Sequence, residues 1–119
     1  MSRILLVEDN EANLYLIRYM LEKHNHEVII AKEGQLGVDL ALQKLPDLVI
    51  MDVQLPDING LEATRRIRAQ EKGKNLKIVA LTSYAMPGDR EKALNAGCDG
   101  YMEKPINPEN FVPELEKYL

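Results

Sequence analysis

Apolar and polar positions come in blocks along this chain, and the period changes from block to block. Ile4-Leu5-Leu6-Val7 is a short apolar run rich in strand formers, and it stops at Glu8-Asp9-Asn10. From about Glu11 to His24 the apolar positions take helical spacing, with Leu14, Ile17 and Leu21 on one face. Asn10 is placed to cap the start of that helix and Asn25 its end. Val28-Ile29-Ile30-Ala31 predicts a second strand, and Gly34 to Lys44 a helix with Leu36, Leu40 and Ala41 inward. Pro46-Asp47 breaks it. Leu48-Val49-Ile50-Met51 is the third strand and stops at Asp52. The loop Leu55-Pro56-Asp57-Ile58-Asn59-Gly60 carries turn chemistry. A helix follows from about Gly60 to Glu71, then a turn over Gly73 to Asn75. Lys77-Ile78-Val79-Ala80-Leu81 is the fourth strand, ending at Thr82. Asp89 to Ala96 reads as a helix stopped by Gly97, and Cys98 to Met102 as a weak fifth strand ending at Glu103-Lys104-Pro105. The last helix lies between Asn107 and Leu119. Pro113 is awkward in a helix interior but suits a first turn, so a turn from Pro108 and a regular helix from near Pro113 are expected.

Repeated strand–helix units imply a parallel sheet with helices on both faces. The first, third and fourth strands are nearly continuous apolar runs and belong in the buried centre. The weaker second and fifth suit the edges. The expected fold is α/β: a doubly wound, five-stranded parallel sheet of order 2-1-3-4-5, the flavodoxin-like arrangement. Residues 1–119 read as one domain, which matches the usual length prior.

Composition narrows the function. A formal charge of −4 and a pI near 5.2 argue against direct nucleic-acid binding, which leaves a basic stripe. No apolar run approaches the roughly 20 residues of a membrane span, and the first run is too short for a signal-peptide core. One cysteine, Cys98, excludes an internal disulfide and a multi-cysteine metal site, and a cytoplasmic location is expected.

In an open parallel sheet, ligands bind beyond the carboxyl ends of the strands, so the residues there carry the chemistry. Glu8 and Asp9 follow the first strand, Asp52 the third, Thr82 the fourth and Lys104 the fifth. Crowded carboxylates repel unless neutralised, and Mg²⁺ suits them because it prefers hard oxygen ligands and keeps open water positions. Lys104 offers a mobile point charge for phosphate, Thr82 a hydroxyl donor, and a carboxylate can be the nucleophile that forms an aspartyl phosphate. Each residue alone has an ordinary reading. Glu8-Asp9 could be a polar loop with a cap, Asp52 a turn, Thr82 a strand residue and Lys104 a solvated charge. Their joint placement on one edge selects phosphoryl transfer, which asks mainly for positioning and charge neutralisation. His24 and His26 read as solvated, Cys98 as a small buried residue, and Tyr15 and Tyr19 as core-edge packing or a docking surface.

The chain resembles a receiver domain of bacterial two-component response regulators over essentially its whole length. The resemblance is carried by Val7-Glu8-Asp9-Asn10, the run from Leu48 through Asp52 to Gly60, Leu81-Thr82-Ser83-Tyr84-Ala85, Ala96-Gly97-Cys98-Asp99-Gly100-Tyr101 and Glu103-Lys104-Pro105-Ile106. It implies phosphorylation at Asp52 by a sensor histidine kinase or histidine phosphotransfer protein. Mg²⁺, or Mn²⁺ in its place, would be bound by Asp9, Asp52, the Gln54 carbonyl and, through water, Glu8. Lys104 would pair with the phosphoryl group, and Lys104-Pro105 would be cis. Thr82 and Tyr101 would be the switch pair, acting on a downstream protein through the face made by the fourth helix, fifth strand and fifth helix. Ser83 stands where the family usually has Ala, and Glu8 where it usually has Asp. Both Ser83 and Tyr84, with Gln54, lie where the lifetime of the phosphoryl group would be tuned. Asn10 and Asn13 resemble the receivers of hybrid kinases and of single-domain regulators of the DivK type. The opening Met1-Ser2-Arg3, directly before the first strand, favours a natural start.

Rival functions are weaker. A flavodoxin-type binder needs a phosphate-cradling loop after the first strand, where this chain has Glu8-Asp9-Asn10-Glu11. A phosphatase needs a second acid–base group and a substrate pocket, so turnover of a foreign substrate is not expected. A receiver fold that binds partners without phosphorylation would have no need of the full acidic, hydroxyl and lysine set.

Overall fold

A computed structural model describes residues 1–83 and 86–119. Tyr84 and Ala85, named above, lie outside the described residues. Five parallel strands, β1 (Arg3–Val7), β2 (Glu27–Ala31), β3 (Leu48–Asp52), β4 (Ile78–Thr82) and β5 (Gly100–Glu103), form one sheet in the order β2-β1-β3-β4-β5. Five helices connect and cover them: α1 (Glu11–Lys23), α2 (Gly34–Lys44), α3 (Gly60–Ala69), α4 (Asp89–Ala96) and α5 (Phe111–Glu116). This is the flavodoxin-like order expected from the strand hydropathies.

The central strands are apolar throughout because both faces of the sheet are covered. Successive side chains point to opposite faces. Leu5, Val7, Val49, Met51, Ile78 and Ala80 therefore pack with Val38, Ala41, Ala63, Ile67 and Ala93 of α2, α3 and α4. Ile4, Leu6, Leu48, Ile50, Val79 and Leu81 pack with Leu14, Ile17, Leu21, Phe111, Val112 and Leu115 of α1 and α5. Burying such side chains stabilises by about 1.5–3 kcal/mol each, which makes these two layers the main favourable contribution.

Local signals set the helix ends. Asn10 Oδ1 accepts from the Asn13 amide at 3.0 Å and caps α1. Asn25 (φ 67°) and Gly97 (φ 114°) take the left-handed conformation after α1 and α4. Pro113 falls in the first turn of α5, where its missing N–H costs no helical bond. The helix begins at Phe111, slightly ahead of the proline. Other boundaries move by one or two residues. α1 ends at Lys23; α3 stops at Ala69 and is followed by a 3-10 turn over Glu71–Gly73; β5 begins at Gly100 rather than Cys98.

Three expectations about packing are corrected. Leu36 is exposed, and α2 instead buries Gly34, Gly37, Val38 and Ala41. The helix sits so close to β1 that a Cβ on Gly37 would lie 2.7 Å from Val7 Cγ2, so its inner face needs small residues. His26 is buried, not solvated: its Nε2 lies 2.8 Å from Glu116 Oε2 of α5, and its Nδ1 accepts from the Ser2 amide at 3.3 Å. Tyr15 and Tyr19 are exposed on α1, which excludes core-edge packing for both. Cys98 is buried beside Thr64, as expected. No helix among the described residues is long and apolar enough to cross a membrane.

Candidate functional site

Four strand ends converge on one edge of the sheet. Glu8 continues directly from β1, its amide donating to the Ala31 carbonyl at 3.0 Å, and is fully buried. Asp52 closes β3 and is 3% exposed. Lys104 follows β5, where its amide donates to the Thr82 carbonyl at 2.7 Å. Its ammonium reaches inward and donates to Glu8 Oε1 at 2.7 Å and to Asp52 Oδ2 at 3.3 Å. The Lys104-Pro105 peptide bond is cis.

Backbone amides complete the carboxylates' partners. Gln54 N–H donates to Asp52 Oδ1 at 3.1 Å, and Asn10 N–H to Glu8 Oε2 at 3.2 Å. Asp9 is exposed at the mouth, yet one oxygen from each of Glu8, Asp9 and Asp52 lies within 4.8 Å of the others. These three form the one such acidic or histidine-containing group among the described residues, and neither His24 nor His26 belongs to it. They open into a cleft of about 590 Å³ also lined by Asn13, Gln54 and Ser83.

The charges do not balance. One ammonium faces two buried carboxylates and a third at the rim. Burial pushes the Asp52 carboxyl up to about 7; its hydrogen bond with Glu8 and the repulsion between them add to this, and Lys104 works against it. Burial also raises Glu8, but hydrogen bonds with Asp52 and Lys104 and from the Asn10 amide outweigh it, so Glu8 sits below its usual value. Of the two buried carboxyls, Asp52 is thus the one held upward and Glu8 the one held down. Hard oxygen donors with surplus negative charge are the donor chemistry a divalent cation such as Mg²⁺ prefers.

Thr82 is buried at the end of β4 and does not line the acidic cleft. It faces an adjoining cavity of about 300 Å³ with Tyr101, Val53, Leu61 and Ala93. Tyr101 is half-buried there, and burial, then the charges of Glu103 and Asp89, raise its hydroxyl pKa. The structure thus brings Glu8, Asp9, Asp52, Gln54, Ser83 and Lys104 to one cleft and sets Thr82 with Tyr101 beside it.

Asp57, read from the sequence only as turn chemistry, has a more specific place. Its Oδ1 accepts from the Gly34 amide at 2.7 Å and its Oδ2 from the Gln35 amide at 2.9 Å, at the start of α2. The Gln35 amide above all, with those of Gly34 and Ile58 helping, holds its carboxyl down at about 2. The sequence signals only that a cap is missing, since Glu33 before Gly34 is not a preferred capping residue, and does not say which side chain supplies it. A helix without its own cap takes one from elsewhere.

Residues 4–116 match the response regulator receiver domain family. A curated relative, the polar-differentiation response regulator DivK of Brucella ovis, is 38% identical over 116 residues, covering 98% of this chain and 94% of that protein. The receiver domain of a sensor histidine kinase from Pseudomonas aeruginosa PAO1 superposes with a TM-score of 0.90 at 39% identity, covering 98% of this chain and 96% of the other. That domain was solved with a magnesium ion coordinated in its active-site cleft. The chemotaxis response regulator CheY4 of Vibrio cholerae superposes with a TM-score of 0.93 at 28% identity, covering all of this chain and 99% of the other. The chain belongs to the response regulator receiver domain family.

Proposed function

We propose that this receiver accepts a phosphoryl group on Asp52 from a sensor histidine kinase or histidine phosphotransfer protein in the cytoplasm. One observation carries the reading: a buried carboxylate held between an amide and an ammonium, in a cleft with more negative charge than its lysine balances. Asp9, Asp52 and the Gln54 carbonyl would hold Mg²⁺ or Mn²⁺, with Glu8 acting through water. When bound, the ion supplies the missing positive charge and a place for a phosphoryl oxygen.

Gln54 N–H holds Asp52 Oδ1, and Oδ2, engaged only by the longer 3.3 Å contact from Lys104, is the nucleophile. That oxygen bonds to phosphorus as the P–N bond of the donor phosphohistidine breaks. The imidazole nitrogen keeps the bonding pair and takes a proton from water. Lys104, already 3.3 Å from Asp52, needs only a small movement to reach a phosphoryl oxygen. Thr82 donates to another. The space it leaves admits Tyr101, since the two share a cavity. That turn reshapes the face of α4, β5 and α5, where Tyr101, Ile106 and Phe111 line a groove of about 660 Å³ that a downstream protein would occupy. The domain turns over no foreign substrate and slowly hydrolyses its own aspartyl phosphate.

The test is intact mass after incubation with Mg²⁺ and acetyl phosphate. The expected result is one added phosphoryl group in the wild type, lost in Asp52→Asn and without Mg²⁺. No adduct even after rapid trapping, with the histidine donor as well, would overturn the reading in favour of a module that binds partners without phosphorylation.

A further inference from the structure

We infer that Asp57 is a positioning residue for the acceptor site: by clamping the β3–α3 loop onto the start of α2, it fixes where Gln54 stands beside Asp52. The inference rests on the proposed role of Asp52 and its cation, and it concerns a residue that touches neither.

The loop between Asp52 and Gly60 is tied at both ends. Val53 N–H donates to the Leu81 carbonyl at 2.9 Å, and Gly60 N–H returns to the Val53 carbonyl at 2.8 Å. Between these ties the chain bulges outward through Gln54, Leu55, Pro56, Asp57 and Ile58. Asp57 is the one residue of this stretch whose carboxylate holds another element, and it uses both oxygens, on amides 22 and 23 residues earlier in the chain. The bond is well matched electrostatically. A helix start presents amide hydrogens and the positive end of its dipole, and α2 has no side-chain cap of its own.

The clamp leaves little slack. Ile58 packs against the core, and a Cβ on Gly34 would lie 2.5 Å from Ile58 Cγ1, so loop and helix touch without a spacer. Only Leu55 and Pro56 separate Asp57 from Gln54. Leu55 is half-buried against the same core, and Pro56 has a fixed φ. A displacement at Asp57 therefore reaches Gln54, whose amide holds Asp52 Oδ1 and whose carbonyl is a proposed cation ligand. Groups that orient metal ligands from behind are worth 10- to 100-fold in metal affinity.

The experiment measures the Mg²⁺ dissociation constant by calorimetry on the folded protein, without phosphodonor, together with the melting temperature. Asp57→Ala is expected to weaken Mg²⁺ about 10-fold, the low end of that range for a residue one step further removed. Asp57→Asn, which keeps one acceptor oxygen on the same stem, is expected to weaken it less. Asp99→Ala serves as the control. It removes a charge pair at the opposite edge of the sheet and lowers the melting temperature with Mg²⁺ affinity unchanged. If Asp57→Ala lowers the melting temperature and leaves Mg²⁺ affinity at the wild-type value, the residue only caps α2 and the inference is overturned. Should Asp57→Ala not fold, wild-type affinity in Asp57→Asn has the same meaning. A wild type that binds no Mg²⁺ sinks the acceptor reading itself, a distinct result.

Discussion

The two edges of this sheet are built from the same kinds of residue and do opposite things. At the amino edge, Arg68 of α3 donates to the carbonyls of Gly97 at 2.8 Å, Gly73 at 2.7 Å and Leu76 at 2.6 Å, and to Asp99 Oδ2 at 2.9 Å. That Asp99 oxygen also accepts from the Ile78 amide at 2.8 Å. One cation meets one anion, and the remaining donors meet backbone carbonyls. At the carboxyl edge, Lys104 meets Glu8 and Asp52 with Asp9 close by, and one carboxyl is driven up to about 7. At the carboxyl edge Glu8 and Asp52 are buried, whereas Arg68 is half-buried and Asp99 exposed. A balanced cluster locks structure, whereas a cluster left short of positive charge is poised to take up a cation.

That contrast breaks most visibly when the cation is removed from the balanced edge. Arg68→Ala leaves Asp99 without its partner and several carbonyls without their donor. Leaving part-buried carbonyls without a donor costs about 1–3 kcal/mol, which urea denaturation would register as a drop in midpoint. Mg²⁺ affinity should stay at the wild-type value. A matching loss of Mg²⁺ affinity would show that the two edges are coupled through the sheet and would remove the basis of the comparison.

At the unbalanced edge the sign reverses. Asp52→Asn relieves repulsion that the fold tolerates for function, and in EDTA at pH 8 it should stabilise by about 1 kcal/mol. The pH profile sharpens this. Asp52 titrates near 7 in the folded chain, against 3.8 ordinarily, so between those values the native state holds a proton that the unfolded chain has released. Stability from this group is thus present at the acid end, lost as pH rises from about 3.8 to about 7, and level above that. Glu8, shifted downward, changes stability only at lower pH. Urea midpoints of the wild type in EDTA should fall from pH 5 to 8, while saturating Mg²⁺ or Asp52→Asn should flatten that fall. A flat profile in EDTA for the wild type would mean that Lys104 alone neutralises the cluster.

Much of this was legible in the sequence, for identifiable reasons. The strands are short apolar runs with abrupt polar ends, so Glu8, Asp52, Thr82 and Lys104 could be put on one edge once the sheet was known to be parallel. Asn10, Asn25 and Gly97 mark helix ends by local chemistry alone. What stayed hidden has a common cause. α2 buries Gly37 and Ala41 while Leu36 points outward, because apolar periodicity gives little weight to small residues even where a helix lies tight against a strand. Asp57 and Arg68 act on backbone groups of distant segments, and no pattern in sequence reveals which amide or carbonyl a charged side chain will reach. His26 sits next to a helix end, as solvated histidines do, but its partner Glu116 is 90 residues away.

The His26–Glu116 pair tests whether burial alone makes a charge contact count. His26 is enclosed, its side chain 6% exposed, but the Glu116 side chain is 42% exposed. The carboxylate therefore keeps much of its hydration and gains little from the contact, as surface pairs generally do. Nδ1 accepts from the Ser2 amide, so the neutral ring carries its proton on Nε2 and donates it to Glu116. A glutamine carbonyl can accept that same hydrogen. Glu116→Gln should then change stability by less than about 0.5 kcal/mol at pH 8, read from urea midpoints beside those of Arg68→Ala. A loss approaching that of Arg68→Ala would mean that burying one partner is enough, and the distinction between the two edges would have to rest on burial rather than on charge balance.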